Sequence, residues 1–574
     1  MRERLYLSWS SRPTPLRRPW RIWAAACAIA AVLAGTPAAG ADVLTYHDDN
    51  ARTGGQLDET ELSPATVNAA RFGKLYSQTV DGAVYAQPLV SSRVSIAGRG
   101  ATDVVFVATE HDSVYAFDAD GEPGSNAGPL WHHSFLDNPP IGVTVTPIPA
   151  ADVATDDLAP EIGITSTPVI DPASGTLYVE AATKEVSGTL TRYVQRLHAL
   201  DLATGAEKLG RPVEISAVAN GTGSGADASA RIAFDPRWEF NRAALLLSRG
   251  VVFVAFASHA DALPSHGWVL GYDAATLSQV AVFNTTPDGI LGTIWMSGGG
   301  PAADQAGNVF VVTGNGTFDF AGGGRDLADS FLKLTPDAGG LALADYFTPF
   351  NQDVLAASDL DLGSGGVVLL PDRPAGKVPL AVGAGKDGTI YLLDRDRLGG
   401  YTPTGDAVIQ EVQGILNGSF CTPAVLGDTV YIGSSNYDGG SLLAFDLSSG
   451  VLSSSPTSEA SEYFPFPGVN PSVSADGSSD GIVWVIEHAE PAVLHAYLAA
   501  DLGRELYNSD QAHDGRDRPG AGVKFAVPTV ANGRVYVGTK TELAVYGLRS
   551  ASYLARKRHG VAPPGSAAGP KPGG

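Results

Sequence analysis

Cysteine is almost missing from this chain: there are two in 574 residues. One of them, Cys27, lies in an apolar run over 22–34 that follows Arg17-Arg18-Pro19-Trp20-Arg21 and precedes the small residues Ala39-Gly40-Ala41. Positive charge, a short apolar run and a small-residue site in that order form the pattern of an export signal, with cleavage near Ala41. The run is too short to span a membrane comfortably. Without residues 1–41 only Cys421 remains, so no internal disulfide can form, and a periplasmic or secreted chain of this kind must rely on core burial. Basic residues are also scarce, 38 Lys and Arg against 61 Asp and Glu for a net charge of −23. That balance excludes a nucleic acid partner, because nothing offsets phosphate repulsion. A Cys-x-x-Cys-His haem site and a His-Glu-x-x-His metal motif are absent. No carboxylate pair stands at a spacing that supports glycoside hydrolysis. Amphipathic stretches long enough for a helical layer are lacking too, and the Pro/Gly/Ala-rich tail over 551–574 reads as disordered.

What the chain does contain is one strand pattern, repeated eight times between residues 42 and 550. Each copy has a small-residue or proline lead-in, an apolar run, a turn, an aromatic-rich second run, a polar loop and a third run. The first copy reads Gln87-Pro88-Leu89-Val90, Val104-Val105-Phe106-Val107-Ala108, then Val114-Tyr115-Ala116-Phe117-Asp118. The last reads Val527-Pro528-Thr529-Val530, Val535-Tyr536-Val537-Gly538, then Leu543-Ala544-Val545-Tyr546. Copies between them have second runs at 177–179, 251–256, 309–312, 380–383, 430–433 and 482–486. Short strands recurring every roughly 50–80 residues predict an all-β, eight-bladed propeller of four-stranded antiparallel blades. The segment around 74–80 is expected to pair with the last blade, since an open ring would expose two sheet edges.

In a meander, alternate turns fall on opposite faces, so the lead-in to the first strand shares a face with the loop after the second. Residues after the second strands are Glu110-His111, Lys184-Glu185, Ser258-His259, Asn315, Lys386-Asp387, Ser435-Asn436, Glu487-His488 and Lys540. Leu291-Gly292-Thr293-Ile294-Trp295 leads into the fourth blade, and Asp359-Leu360-Asp361-Leu362-Gly363 into the fifth. Trp295, Asn315, Asp361 and Lys386 are therefore expected at one funnel, with Glu185 near its rim. Each also has an ordinary reading. Trp295 fits a blade interface, Asn315 a Gly-Asn-Gly turn, and Lys386 a hairpin tip.

These segments resemble the pyrroloquinoline-quinone (PQQ) propeller family, which includes quinoprotein alcohol dehydrogenases. Tyr46-His47-Asp48-Asp49-Asn50-Ala51-Arg52-Thr53-Gly54 is similar to the family's N-terminal strand and Arg-containing lead. Gly292-Thr293 with Trp295 resembles the segment whose Trp underlies the quinone. Thr313-Gly314-Asn315 resembles the segment whose Asn ligates calcium. Asp359 and Asp361 are similar in placement to the catalytic Asp and its acidic neighbour. Lys386 resembles the basic residue that contacts the quinone oxygens. The calcium-ligating Glu has a loose counterpart in Glu185, and the vicinal disulfide usual in the family has none.

The resemblance implies PQQ and calcium as cofactors. Asn315, Glu185 and Asp361 would hold the metal, Trp295, Lys386 and Asn315 the quinone, and Asp361 or Asp359 would take the substrate proton. A small alcohol or sugar would be oxidised, and electrons would pass to an external acceptor. The alternative is a non-catalytic propeller that binds a protein partner or acts as a scaffold, since one fold hosts many functions.

Overall fold

Runs of Val, Ile, Tyr and Phe interrupted by Gly, Asp and Asn turns form eight antiparallel sheets arranged as the blades of a propeller. The computed structural model describes residues 41–549 apart from 122–127, 338 and 373–376. The expected signal segment up to residue 40 and the tail over 551–574 lie outside the described residues. Blade 1 is representative, with strands Leu89–Ile96, Gly100–Thr109, Ser113–Asp118 and Trp131–Ser134 in sequential order. The inner strands of blades 2 to 8 are Val169–Asp171, Leu246–Ser248, Ala302–Ala303, Val368–Leu369, Ala424–Leu426, Ser472–Asp476 and Thr529–Ala531. Among the described residues the one α-helix is Gln352–Ala357, and no helix is long and apolar enough to cross a membrane.

Strand alternation explains the core, because successive side chains point to opposite faces and both faces of every blade are covered. In blade 2, Leu177, Val179 and Ala181 join the cluster shared with blade 1, whereas Tyr178 joins Val252, Val254 and Phe256 of blade 3. Tyr536, Leu543 and Val545 of blade 8 pack in the same cluster as Phe106 and Phe117 of blade 1, so the apolar layer runs across the closure. As expected, the N-terminal strand closes the ring: Phe72–Thr79 pairs antiparallel with Glu542–Leu548 as the outer strand of blade 8. Cys421 is buried, its sulfur accepts from the Gly433 N–H at 3.3 Å, and burial pushes its thiol up to about 12.

Two sequence expectations are corrected here. The second strand of blade 2 runs over Thr176–Ser187 and pairs along its whole length with Leu190–Asp201. Lys184 and Glu185 therefore sit inside a long hairpin and not in the loop after a short strand. The segment over 46–54 is not a blade strand either. Apart from Gly55–Gln56, which pairs with blade 7, it forms a turn-rich belt within the ring.

That belt satisfies the inner edges of the blades. Val43 exchanges backbone bonds with Val90 of blade 1, and Leu44 O accepts from Ile170 N–H of blade 2. The Asn50 amide donates to Leu247 O of blade 3, and Asn50 O accepts from Ala303 N–H of blade 4. Carbonyls of Ala51, Thr53 and Gly54 then accept from Leu369, Val425 and Val473 of blades 5, 6 and 7. Ala41 and Glu59 both reach blade 8, at Asn532 and Gly533. The inner N–H groups would otherwise be buried donors without acceptors. The tight curl passes through the left-handed region at His47, Asp48, Arg52 and Gly54.

Arg52 fixes the belt. Its side chain is wholly buried and donates to Pro301 O (3.0 Å), Leu245 O (3.1 Å), Tyr46 O (2.9 Å) and Thr45 Oγ1 (2.7 Å). Burial lowers its pKa to about 10 and the charge of Asp49 opposes that shift, so it stays protonated at neutral pH. Replacing Arg52 with Met leaves three carbonyls without that donor. The expected loss is on the order of 3–5 kcal/mol, read by urea denaturation against the unaltered chain. A loss below about 1 kcal/mol would contradict a belt pinned by this residue.

Candidate functional site

One face of the ring opens into a cavity of about 340 Å³. Its wall is built as the meander requires. Arg242, Trp295, Phe420, Phe466 and Phe525 come from segments leading into inner strands, and His259, Lys386 and Tyr437 from loops after second strands. Trp295, Asp359, Asp361 and Lys386 all line this cavity.

The Lys386 ammonium lies 2.5 Å from Asp361 Oδ2 and 2.7 Å from Asp359 Oδ1, and 5.7 Å from the centre of the Trp295 ring. Asn315 joins the cluster from blade 4: its backbone N–H donates to Asp361 Oδ1 at 2.8 Å and its side-chain amide to Asp359 Oδ1 at 3.0 Å. Close backbone approach makes this possible. A Cβ at Gly314 would lie 2.4 Å from Asp361 Oδ1, and one at Gly385 would lie 2.7 Å from Asp361 O. Burial alone would lower the Lys386 pKa, but the charge of Asp361 and the bonds to both carboxylates outweigh it and raise it well above the usual lysine range. Asp361 is buried, whereas the Asp359 side chain is 56% exposed.

Strain gathers around the opening. Asp359, Met296, Ser297, Asp261 and Phe525 all have positive φ without being glycine. For a residue as bulky as Phe525 this is an outlier, of the kind that surrounding structure must hold in place. Behind Asp361 lies Asp329, fully buried, accepting from Leu362 N–H and the Gln352 amide, both at 3.1 Å. Burial, and then the charge of Asp361, raise its pKa to about 8. Burial also lowers His259 to about 4, so it lines the cavity as a neutral ring.

The expected metal set does not assemble. Glu185 lies away from the cavity wall, its carboxylate 2.7 Å from Arg196 and 3.9 Å from Arg192 across its own hairpin. Asp361 is engaged on both oxygens, by Asn315 and Lys386. Of the three expected ligands, only Asn315 keeps a buried oxygen, Oδ1, without a partner. Among the described residues no three His, Cys, Asp or Glu side chains converge in a metal-holding group.

Sequence reasoning missed most of the wall. Phe420 and Phe466 pack edge to face at 5.5 Å, Tyr437 stacks on Phe466 at 5.3 Å, and Phe420 and Phe525 each lie 6.2 Å from Trp295. The Arg242 guanidinium lies over Tyr85 at 5.4 Å and Phe525 at 5.3 Å. The usable signal was positional, since Arg242, Phe420, Phe466 and Phe525 stand just ahead of the inner strands of blades 3, 6, 7 and 8.

No family model and no curated protein matches the chain. Among solved structures it resembles a europium-containing methanol dehydrogenase, with a TM-score of 0.57 and 14% identity over 88% of this chain and 98% of that one. Saccharomyces cerevisiae Sqt1 also matches, at a TM-score of 0.45 and 10% identity over 83% of this chain and 99% of that one. At such identities the likeness is one of fold.

Two outcomes are expected from the cluster. Lys386→Met leaves Asp361 buried without its cation and should cost about 2–4 kcal/mol, most of it recovered by adding Asp361→Asn. Denaturation of the two single variants and the double variant measures this, and a neutral Lys386→Met would show the ion pair to be dispensable. The second concerns pH. Asp329 holds its proton in the folded chain up to about 8, so the stability it contributes is complete below the unfolded value of about 4 and is lost as pH rises through the folded one. Asp329→Asn should therefore melt higher than the unaltered chain at pH ~9 and gain nothing at pH ~4. Parallel melting curves at the two pH values would exclude a buried protonated acid.

Proposed function

We propose that this propeller is a quinoprotein-type dehydrogenase that holds PQQ in the funnel and oxidises an alcohol or sugar, passing electrons to an external acceptor. One observation carries the reading: an indole face, a fixed ammonium and two carboxylates share a single aromatic-walled cavity. Its volume, about 340 Å³, lies at the small end of the range for ligand pockets. PQQ supplies the hydride acceptor when bound.

The chain's own residues then have distinct roles. Trp295 offers a flat face for a planar ring. Lys386 has three N–H donors, two of them used on Asp359 and Asp361, and the third is left for a ligand oxygen on which negative charge develops. Asp361, engaged on both oxygens, orients the lysine. Asp359 is bonded through Oδ1, and its side chain on the cavity wall is the exposed one of the two, which favours it as acceptor of the substrate hydroxyl proton. Asn315 Oδ1 is the one orphaned donor atom for a cation. With Glu185 committed elsewhere, no step is assigned to calcium. Export to the periplasm or beyond belongs to the same proposal and rests on the N-terminal pattern.

A binding propeller without chemistry is the second reading, favoured by the neutralisation of Lys386 by two carboxylates. Titrating the purified chain with PQQ, with and without Ca²⁺, while following tryptophan fluorescence and dye reduction over an alcohol and sugar panel, separates the two. Dehydrogenase chemistry predicts saturable quenching and turnover, with Asp359→Asn retaining the quenching and losing turnover by about 100-fold or more. Quenching without turnover would favour the binding propeller. No quenching would remove PQQ from the account.

A further inference from the structure

Arg242 is not explained by packing or by any role above. Its side chain is only 5% exposed, lines the funnel, and lies between the Tyr85 and Phe525 rings. Its guanidinium makes no hydrogen bond or ion pair among the described residues, and burial lowers its pKa without any bond to oppose that shift. Neither carboxylate whose charge reaches it bonds it. Glu110 Oε2 accepts from Gly163 N–H at 2.8 Å and from the Thr165 hydroxyl at 3.0 Å. Asp157 pairs with Lys524 at 2.8 Å. Its five N–H donors thus have no acceptor in the protein among the described residues, and none of its nitrogens is sealed off from the funnel, so the fork is open to water or to a ligand there.

The surroundings hold the group in place. Phe525, one of its two ring neighbours, has a φ of +64°. A Cβ on Gly298 would stand 3.3 Å from Arg242 Nη1, so even a methyl group there would press on the guanidinium. Across the funnel the other pole is acidic, for Asp359 and Asp361 together outweigh Lys386 by one negative charge. The cavity is therefore bipolar, with an unsatisfied cation at one wall and a net anion at the other. A guanidinium clamped between rings presents a planar fork of donors, which matches a carboxylate in bidentate geometry.

We propose that Arg242 is the anchor for a carboxylate group of the small molecule that the funnel binds, a positioning residue that orients the far end of the ligand toward Lys386 and Asp359. The inference rests on the funnel being a small-molecule site and not on that molecule being PQQ. Two probes keep the two apart: PQQ, and trimellitate, a planar aromatic tricarboxylate with no quinone. Each is titrated by tryptophan fluorescence into the unaltered chain, Arg242→Gln and Arg242→Lys, alongside the trimethyl ester of trimellitate.

Arg242→Gln should weaken binding of the acids by about 30-fold or more. Arg242→Lys should weaken it by a smaller factor, about 5- to 10-fold, through loss of the bidentate fork. The ester should bind the unaltered chain and Arg242→Gln alike. Trimellitate binding that depends on Arg242, without PQQ binding, would sustain the anchor while removing the quinone. Failure of both acids to bind, or affinities unchanged in Arg242→Gln, would overturn it. Should Arg242→Gln fail to fold, an unchanged affinity in Arg242→Lys would overturn it equally.

Discussion

The buried guanidinium of Arg52 and the belt it fixes are the constraint on which the ring depends. A propeller exposes one sheet edge per blade toward its axis, and each edge carries backbone donors that water reaches poorly. Here a single stretch of chain, from Ala41 to Glu59, supplies acceptors or donors to every blade in turn. Arg52 bonds carbonyls in blades 3 and 4 and in the belt itself. The ring is thus closed twice: at its periphery by Phe72–Thr79, and at its axis by the belt.

The axial closure also sets the funnel. Leu245, whose carbonyl Arg52 holds, follows Arg242 by three residues in the segment leading into the inner strand of blade 3. Pro301, held likewise, follows Trp295 through a turn with positive φ at Met296, Ser297 and Gly298. The cationic and aromatic walls are therefore mounted on strands that a buried charge keeps in register. Preorganisation of this kind suits a site in which charged groups are held short of full solvation. Strained backbone at Phe525 and Asp359, and the absence of room for a side chain at Gly314 and Gly385, belong to the same rigid frame.

The architecture was legible because it is repetitive. Alternating apolar runs such as 104–108 and 535–538 can bury both faces only between neighbouring sheets, and the meander then dictates which loops share a face. That topological rule was enough to bring Trp295, Asn315, Asp361 and Lys386 together without any knowledge of distances. It failed at Glu185 because it needs the strand's end, and the alternation of 176–187 continues without a turn residue until Gly188. The belt carried no periodic signal: it is a succession of turns, and its bonds outward reach a different blade at nearly every step. Arg242, Phe420 and Phe525 were missed for a related reason. Single residues ahead of a lead-in have no periodicity, and only the curvature of the ring gathers them at one wall.

The belt has a consequence for the order of events in folding. Its residues leave the ribosome before any blade exists, yet their hydrogen-bond partners are distributed from residue 90 to residue 533. The segment must therefore wait, unpaired, while the later blades form, and it can be threaded into register only when the last of them arrives. Folding that proceeds piece by piece from the N-terminus cannot reach the native state by that route alone, because the earliest piece is the last to be satisfied. Once seated, the belt couples distant parts of the chain, so detaching one blade also disturbs contacts held by the others. Such long-range coupling slows assembly. Where those contacts form after the folding transition state, it also slows disassembly, giving persistence that comes from a kinetic barrier and not from any single strong bond.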